Sequence, residues 1–211
     1  METAASLLLI LHITAGSAAL ATGTLAMLAR KGGTTHRRSG SVFFWCMVAV
    51  ATTALMLSTI RGSAFLFHIG VFSLYQAHGG WRSIRNKALK PTFQDVAMTA
   101  VGGINGGWMI ATGHMVLMVF GAISMLLALQ DTRTFLRSAR GDQLPAKAWL
   151  RRHIGMMLGT YIATLTAFLL TALRELDLGV IAWLGPTAIG VPCIIYATRK
   201  FTGPRTRPVE A

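Results

Sequence analysis

The chain has 211 residues, of which 53% are hydrophobic and only 13% charged, and its formal net charge is +13. Soluble domains carry about 25% charged residues, so the composition excludes an ordinary water-soluble globule, because too little polar surface exists to cover one. With a mean hydropathy of +0.55 and a pI near 11.3, the informative question is where the cations sit.

No charged residue occurs between Glu2 and Arg30. Because about 20 mostly apolar residues cross the hydrocarbon core, a membrane helix is expected over residues 4–29. The run lacks a basic leading segment and exceeds the length of a signal core, so it is expected to be retained. His12, Ala15, Gly16, Ala19 and Gly23 share one face of this helix. They form a groove of small residues topped by an imidazole, suited to a flat macrocycle or to a neighbouring helix. The segment "KGGTTHRRSG" follows and holds His36. It lacks the spacing of a phosphate-binding loop and follows no strand, so its glycines are expected to make a tight turn between antiparallel helices.

The second span is expected at 41–60 and carries Cys46; the third, at 63–80, carries His68, Tyr75 and His78. At about 100° per residue these three fall within a sector of about 80°, and the two histidines lie about 15 Å apart along the axis. The next charge-free run, from Asp95 to Asp131, is too long for one crossing. The "ATGH" segment, Ala111 to His114, supplies a break at Gly113 and gives spans at 95–112 and 115–136. Within "VGGINGGWMIATG", Gly102/Gly106 and Gly103/Gly107 are overlapping GxxxG pairs suited to close helix approach. Asn105 stands between them, either to bond a neighbouring helix or to line a cavity. The sixth span, 153–173, bears a stripe of His153, Thr160, Thr164 and Thr171, although such threonines commonly bond their own backbone. The seventh, 178–198, contains Pro186 and Pro192, which bend a helix or free carbonyls.

The expected fold is therefore all-α, a polytopic bundle of seven transmembrane helices forming a single domain over 1–211, with a short basic tail at 201–211. Eighteen of the twenty Lys and Arg residues fall after the first, third, fifth and seventh spans; the other side holds only Arg61 and Arg174. Cations flanking short loops stay in the cytoplasm, which puts the N-terminus outside and the C-terminus inside a cell (inner) membrane. The charge then serves topology and attraction to anionic lipids, and the scattered short loops make a poor track for nucleic acid. A homo-oligomer or a larger membrane complex is compatible with this composition.

No HExxH, CxxC or GxSxG occurs. Cys46 and Cys193 fall at similar depth, as a soft-metal pair or as small buried hydrophobes. The eleven methionines read as packing filler, and none of the seven carboxylates is expected deep in a span, which argues against a carboxylate proton relay. Histidine is the remaining chemistry. His12, His68 and His114 form an outer layer; His36, His78 and His153 form an inner one. Neutral imidazole ligates haem iron, copper or zinc. The cofactor-binding candidates are His12, His36, His68, His78 and His153; His114, like His36, lies in or near a turn, where histidine is often merely solvated.

The segments "LHITAGSAALATGTLAML", "KGGTTHRRSGSVFFWCM", "WLRRHIGMMLGTYIATLTAFL" and "PCIIYATRKF", in this order, resemble a group of bacterial integral membrane proteins, the domain-of-unknown-function 2306 family. The resemblance covers most of the chain and implies a multi-span bacterial membrane protein with no established activity. The positions it would carry over are His12, Gly16, Lys31, Gly32, His36, Arg37, Gly40, Arg152, His153, Tyr161 and Ala163. It does not require His68, His78 or His114, and so favours His12, His36 and His153 among the histidines.

Three functions fit these features. The first is a haem-binding redox protein, with haem b held by His153 and either His78 or His36 in an inner layer, and by His12 and His68 in an outer one. The second is a permease for a small solute or metal ion, built around Asn105 and the broken helices. The third is a cofactor-free structural or assembly subunit. No particular enzyme reaction is indicated.

Overall fold

The computed structural model describes residues 2–172, 174–176 and 179–203. Among these the secondary structure is helical throughout, with no strand. The helices are α1 (Glu2–Leu28), α2 (Thr34–Arg61), α3 (Ala64–Arg85), α4 (Phe93–Ala111), α5 (Met115–Ala139), α6 (Ala148–Ala172) and α7 (Gly179–Thr202), with a 3-10 turn at Arg174–Leu176. Helix α7 continues to Thr202, so the first residues of the expected tail are helical; residues 204–211 lie outside the described residues.

The helix ends follow local chemistry. Gly62 caps α2 at φ 62° and returns its N–H to the carbonyl of Ser58, a left-handed position that glycine adopts without a Cβ clash. Ser63 then accepts the N–H of Leu66 and opens α3 after a two-residue turn. Thr92 and Asp95 form a reciprocal capping box at the start of α4. The break expected at Gly113 is real: φ there is 70°, α4 ends at Ala111 and α5 begins at Met115.

Five helices, α1, α2, α5, α6 and α7, are long and apolar enough to cross a membrane. Helices α3 and α4 are more polar, and their position explains why. Helix α3 packs against α2, α4, α5 and α6, and its buried surface includes His68, Ser73, Tyr75, Gln76 and Ser83. A helix enclosed by protein can carry polar groups as long as they find partners there. In contrast α1 buries only Ala19 and Gly23 and exposes Leu7, Ile10 and Ile13.

The core runs along α3 in three clusters. Ala19, Phe43, Phe44, Met47 and Ala77 join α1, α2 and α3. Phe72, Met109, Val116, Leu117 and Phe120 join α3, α4 and α5. Tyr75, Ala128 and Met156 join α3, α5 and α6. Glycine sets the closest approaches: a Cβ at Gly106 would stand 2.9 Å from the carbonyl oxygen of Gly121, and one at Gly102 would stand 2.5 Å from the ring of Tyr75. The first of the two GxxxG pairs is thus a true contact face.

Side-chain contacts identify the two ends of the bundle. At one end Ser138 at the end of α5 donates to the carbonyl of Ala88, Lys147 before α6 donates to that of Phe201 at the end of α7, and His36 at the start of α2 bonds that of Ala26 near the end of α1. This end gathers the cationic loops. At the other, the ring of Phe65 packs edge-on against His114 and Trp183.

Candidate functional site

The three histidines favoured by the sequence resemblance share one arrangement. His36 Nδ1 lies 2.9 Å from the carbonyl oxygen of Ala26, His153 Nδ1 lies 2.8 Å from that of Gly80, and His12 Nδ1 lies 3.1 Å from that of Val50. A carbonyl can only accept, so Nδ1 carries the proton and, in the neutral ring, Nε2 keeps its lone pair. No described residue bonds any of these Nε2 atoms, and none of them is among the buried polar atoms lacking a partner. All three rings are half-buried, held at one nitrogen and open at the other. Metal-ligating histidines are oriented in this way, with the second nitrogen donating to a backbone carbonyl.

The sequence leaves His36 or His78 as the partner of His153, and the two have different surroundings. His36 stands in the first turn of α2 and bonds α1. His78 instead faces Gln94 and Asp95 at the start of α4. It sits two residues before Gly80, about 200° around the helix at about 100° per residue.

The outer layer is not assembled as a pair. No Cα of α1 comes within 8 Å of one of α3. His12 turns to α2, where Thr53 Oγ1 lies 2.9 Å from its Nδ1, whereas His68 is buried against α4. His68 Nδ1 meets Asn105 Oδ1 at 2.8 Å, and Asn105 Nδ2 donates back to the His68 carbonyl at 3.0 Å. Asn105 therefore bonds a neighbouring helix, and His68 is tied into the same packing contact. His114 caps α5, is exposed and serves no cluster of ligands. The groove on α1 is occupied by protein: a Cβ on Gly23 would stand 2.7 Å from Tyr161, whose hydroxyl bonds Thr24 at 2.7 Å. The reading of that face as a helix-packing surface is the one realised. The threonine stripe also takes its plainer form, since Thr160, Thr164 and Thr171 donate to the carbonyls of Met156, Thr160 and Ala167.

One of the two readings of the cysteines falls away, and one carboxylate is more enclosed than its place in the sequence suggests. Cys46 and Cys193 do not form a pair, because no Cα of α2 lies within 8 Å of one of α7 and Cys193 is exposed. The carboxylates are not all peripheral, because Asp131 in α5 is 3% exposed. Arg152 Nε and Nη2 bond its two oxygens, each at 2.6 Å, and Tyr75 donates its hydroxyl to Oδ2 at 2.9 Å. Arg152 Nη1 reaches the carbonyl of Gly79 and the hydroxyl of Ser83. This network secures the first turns of α6 against α3 and α5, next to His153. A second forked pair, Arg82 with Asp95, ties the end of α3 to the capping box of α4.

Among the described residues no three His, Cys, Asp or Glu side chains converge as a metal site. Zinc and copper sites built from protein alone need three or four such ligands. A metal held in a macrocycle needs only one or two imidazoles from the protein. Comparison with protein-family models, with curated proteins and with solved structures finds no match to this chain.

Proposed function

We propose that the chain crosses a bacterial cell membrane seven times, with its N-terminus outside and its basic end in the cytoplasm, and that His36 and His153 at that end would hold a haem-type redox centre. We also propose its kinship with the domain-of-unknown-function 2306 membrane proteins, on the motif residues named above.

The topology rests on the concentration of Lys and Arg at one end of the bundle. Helices α3 and α4 count as spans because the loops on either side of each lie at opposite ends; their polarity is sheltered by neighbours. The observation that carries the functional reading is the matched anchoring of His36 and His153, each bonded through Nδ1 to a carbonyl of an adjoining helix and open at Nε2. Such a group would supply one-electron transfer. The chain's own contribution is to fix two imidazoles in their ligating tautomer, half-shielded from water. His12 bonds α2 and His68 bonds α4, so one centre near the cytoplasmic face is favoured over two stacked across the membrane.

The test is an optical spectrum of the protein purified from cells supplied with haem. A Soret band that disappears in His36→Ala and in His153→Ala, and persists in His68→Ala, is expected. A spectrum without the band, or a band unaffected by both substitutions, overturns the reading.

Of the features that suggested a permease, Asn105 has a packing role, paired with His68, while Pro186 and Pro192 stand inside α7. A cofactor-free structural subunit is the second reading, favoured by the apolar faces that α1 and α7 leave uncovered, including Ile10, Ile13, Ile181 and Ile189. Co-purification with a larger complex and a featureless spectrum would support it.

A further inference from the structure

The loops 86–92 and 140–147 enclose a cleft of about 410 Å³ at the basic end, lined in part by Lys87, Lys90, Lys147, Asp142, Pro145 and Trp149. We propose that this cleft binds the phosphate headgroup of an anionic phospholipid. The proposal rests on the placement of the basic end at the membrane surface, and is independent of any redox centre.

Three observations support it. The first is charge. Lys87, Lys90 and Lys147 enter the cleft from two separate loops, and none forms a salt bridge with a carboxylate among the described residues. Asp142 also lines the cleft, but lies 4.0 Å from Arg137, which offsets it. An uncompensated group of ammonium ions around a concave surface attracts a compact anion.

The second is backbone conformation. Among the described residues only Leu89 and Lys147 combine a side chain with positive φ, at 52° and 59°. These conformations are costly for residues other than glycine and persist only where the surroundings enforce them. One falls in each of the two loops that form the cleft. Leu89 is 2% exposed, so its loop is pinned from below, and Ser138 holds the neighbouring Ala88 carbonyl from across the cleft. Asn86 bonds the Lys90 carbonyl at 2.6 Å, and Lys147 bonds that of Phe201 at 3.2 Å. The cationic rim is therefore preorganised.

The third is the mixed lining. Trp149 carries Lys87 Nζ 5.1 Å above its ring, and Leu144, Pro145 and Ala148 add apolar surface. An indole beside lysines at the end of a membrane helix suits the headgroup level, where a ligand has a charged phosphate and an apolar continuation.

Native mass spectrometry of the detergent-purified full chain tests the site. The probes are phosphatidylglycerol, phosphatidylcholine and inorganic phosphate. One phosphatidylglycerol should bind per chain well above the others. The triple variant K87Q/K90Q/K147Q, all exposed positions, should weaken it about a hundredfold, from roughly 1 kcal/mol per cation. The triple variant R30Q/R37Q/R38Q removes the same charge elsewhere at this end and should leave it near wild type. Equal losses in both triples mean diffuse attraction and overturn the site. Equal binding of phosphatidylcholine, or inorganic phosphate binding as tightly as the lipid, overturns the assignment to an anionic lipid.

Discussion

Arg152 and Asp131 form a forked ion pair, Nε to Oδ1 and Nη2 to Oδ2, both at 2.6 Å, with both side chains under one-tenth exposed. The pair joins α6 to α5, and the remaining guanidinium nitrogen joins it to α3. A charge this well enclosed is expensive to leave alone. Asp131→Ala should therefore destabilise the protein by about 3–5 kcal/mol, because the guanidinium loses its partner inside the bundle. The double variant Asp131→Leu/Arg152→Met removes both charges and should recover most of that loss. Unfolding in mixed detergent, followed by circular dichroism, measures both. A double variant as unstable as the single one would show that the pair contributes more than mutual compensation.

The glycines of α4 predict a graded response. A Cβ at Gly106 would meet backbone of α5 at 2.9 Å, whereas one at Gly107 would have its nearest neighbour, the flexible end of Met125, at 3.6 Å. Backbone cannot move aside as a methionine can. Gly106→Ala should cost about 1–3 kcal/mol as overpacking. Gly107→Ala should be neutral or gain up to about 1 kcal/mol from helix propensity. Thermal melts of the two variants in the same detergent check the order, and equal effects would mean that α4 and α5 do not cross at Gly106.

His68 and Asn105 separate packing from ligation. Asn105→Leu deprives the buried His68 ring of its partner, which should cost about 1–3 kcal/mol. It should leave any Soret band in place, because the pair lies at the end of α3 opposite to Gly80. A stability assay and a spectrum on the same preparation give both readouts. A band lost in a folded Asn105→Leu variant would move the centre to the outer end.

Much of this architecture is legible in the sequence, because a membrane helix must be continuously apolar and charges fall where it ends. A break between Asp95 and Asp131 follows from length, and Gly113 places it. The burial of Asp131 is harder to see in the sequence, because a carboxylate at the end of an apolar run looks like the start of a loop. A signal was present: Ser124, Ala128, Asp131 and Phe135 lie four, three and four residues apart and share one face of a helix. All four are buried. The partner of Asp131 was harder to find, since Arg152 sits in a basic run with Arg151, and only the packing of α6 on α3 decides which arginine turns inward. His36 and His153 are open to nomination from residue type and depth, but their common carbonyl anchoring depends on the packing that brings the carbonyls of Ala26, near the end of α1, and Gly80, within α3, against the two rings, which no spacing rule reports.

The orientation of the bundle is testable without knowing the reaction. In a background with Cys46 and Cys193 replaced by alanine, single cysteines at Arg38 and Arg85 probe the basic end, and one at Arg61 probes the other. Arg38, Arg61 and Arg85 are all exposed, so labelling reports sidedness and not burial. With a membrane-impermeant maleimide on intact spheroplasts, Arg61→Cys should react, while Arg38→Cys and Arg85→Cys should react only after lysis. Moving Arg61 inside would require α2 to reverse, which would carry the cationic turn at Arg37 and Arg38 outward against the energetic bias that holds Lys and Arg in the cytoplasm. Reaction of Arg38→Cys in intact cells would invert the topology; opposite sidedness for Arg38→Cys and Arg85→Cys would remove α2 and α3 as a pair of consecutive spans.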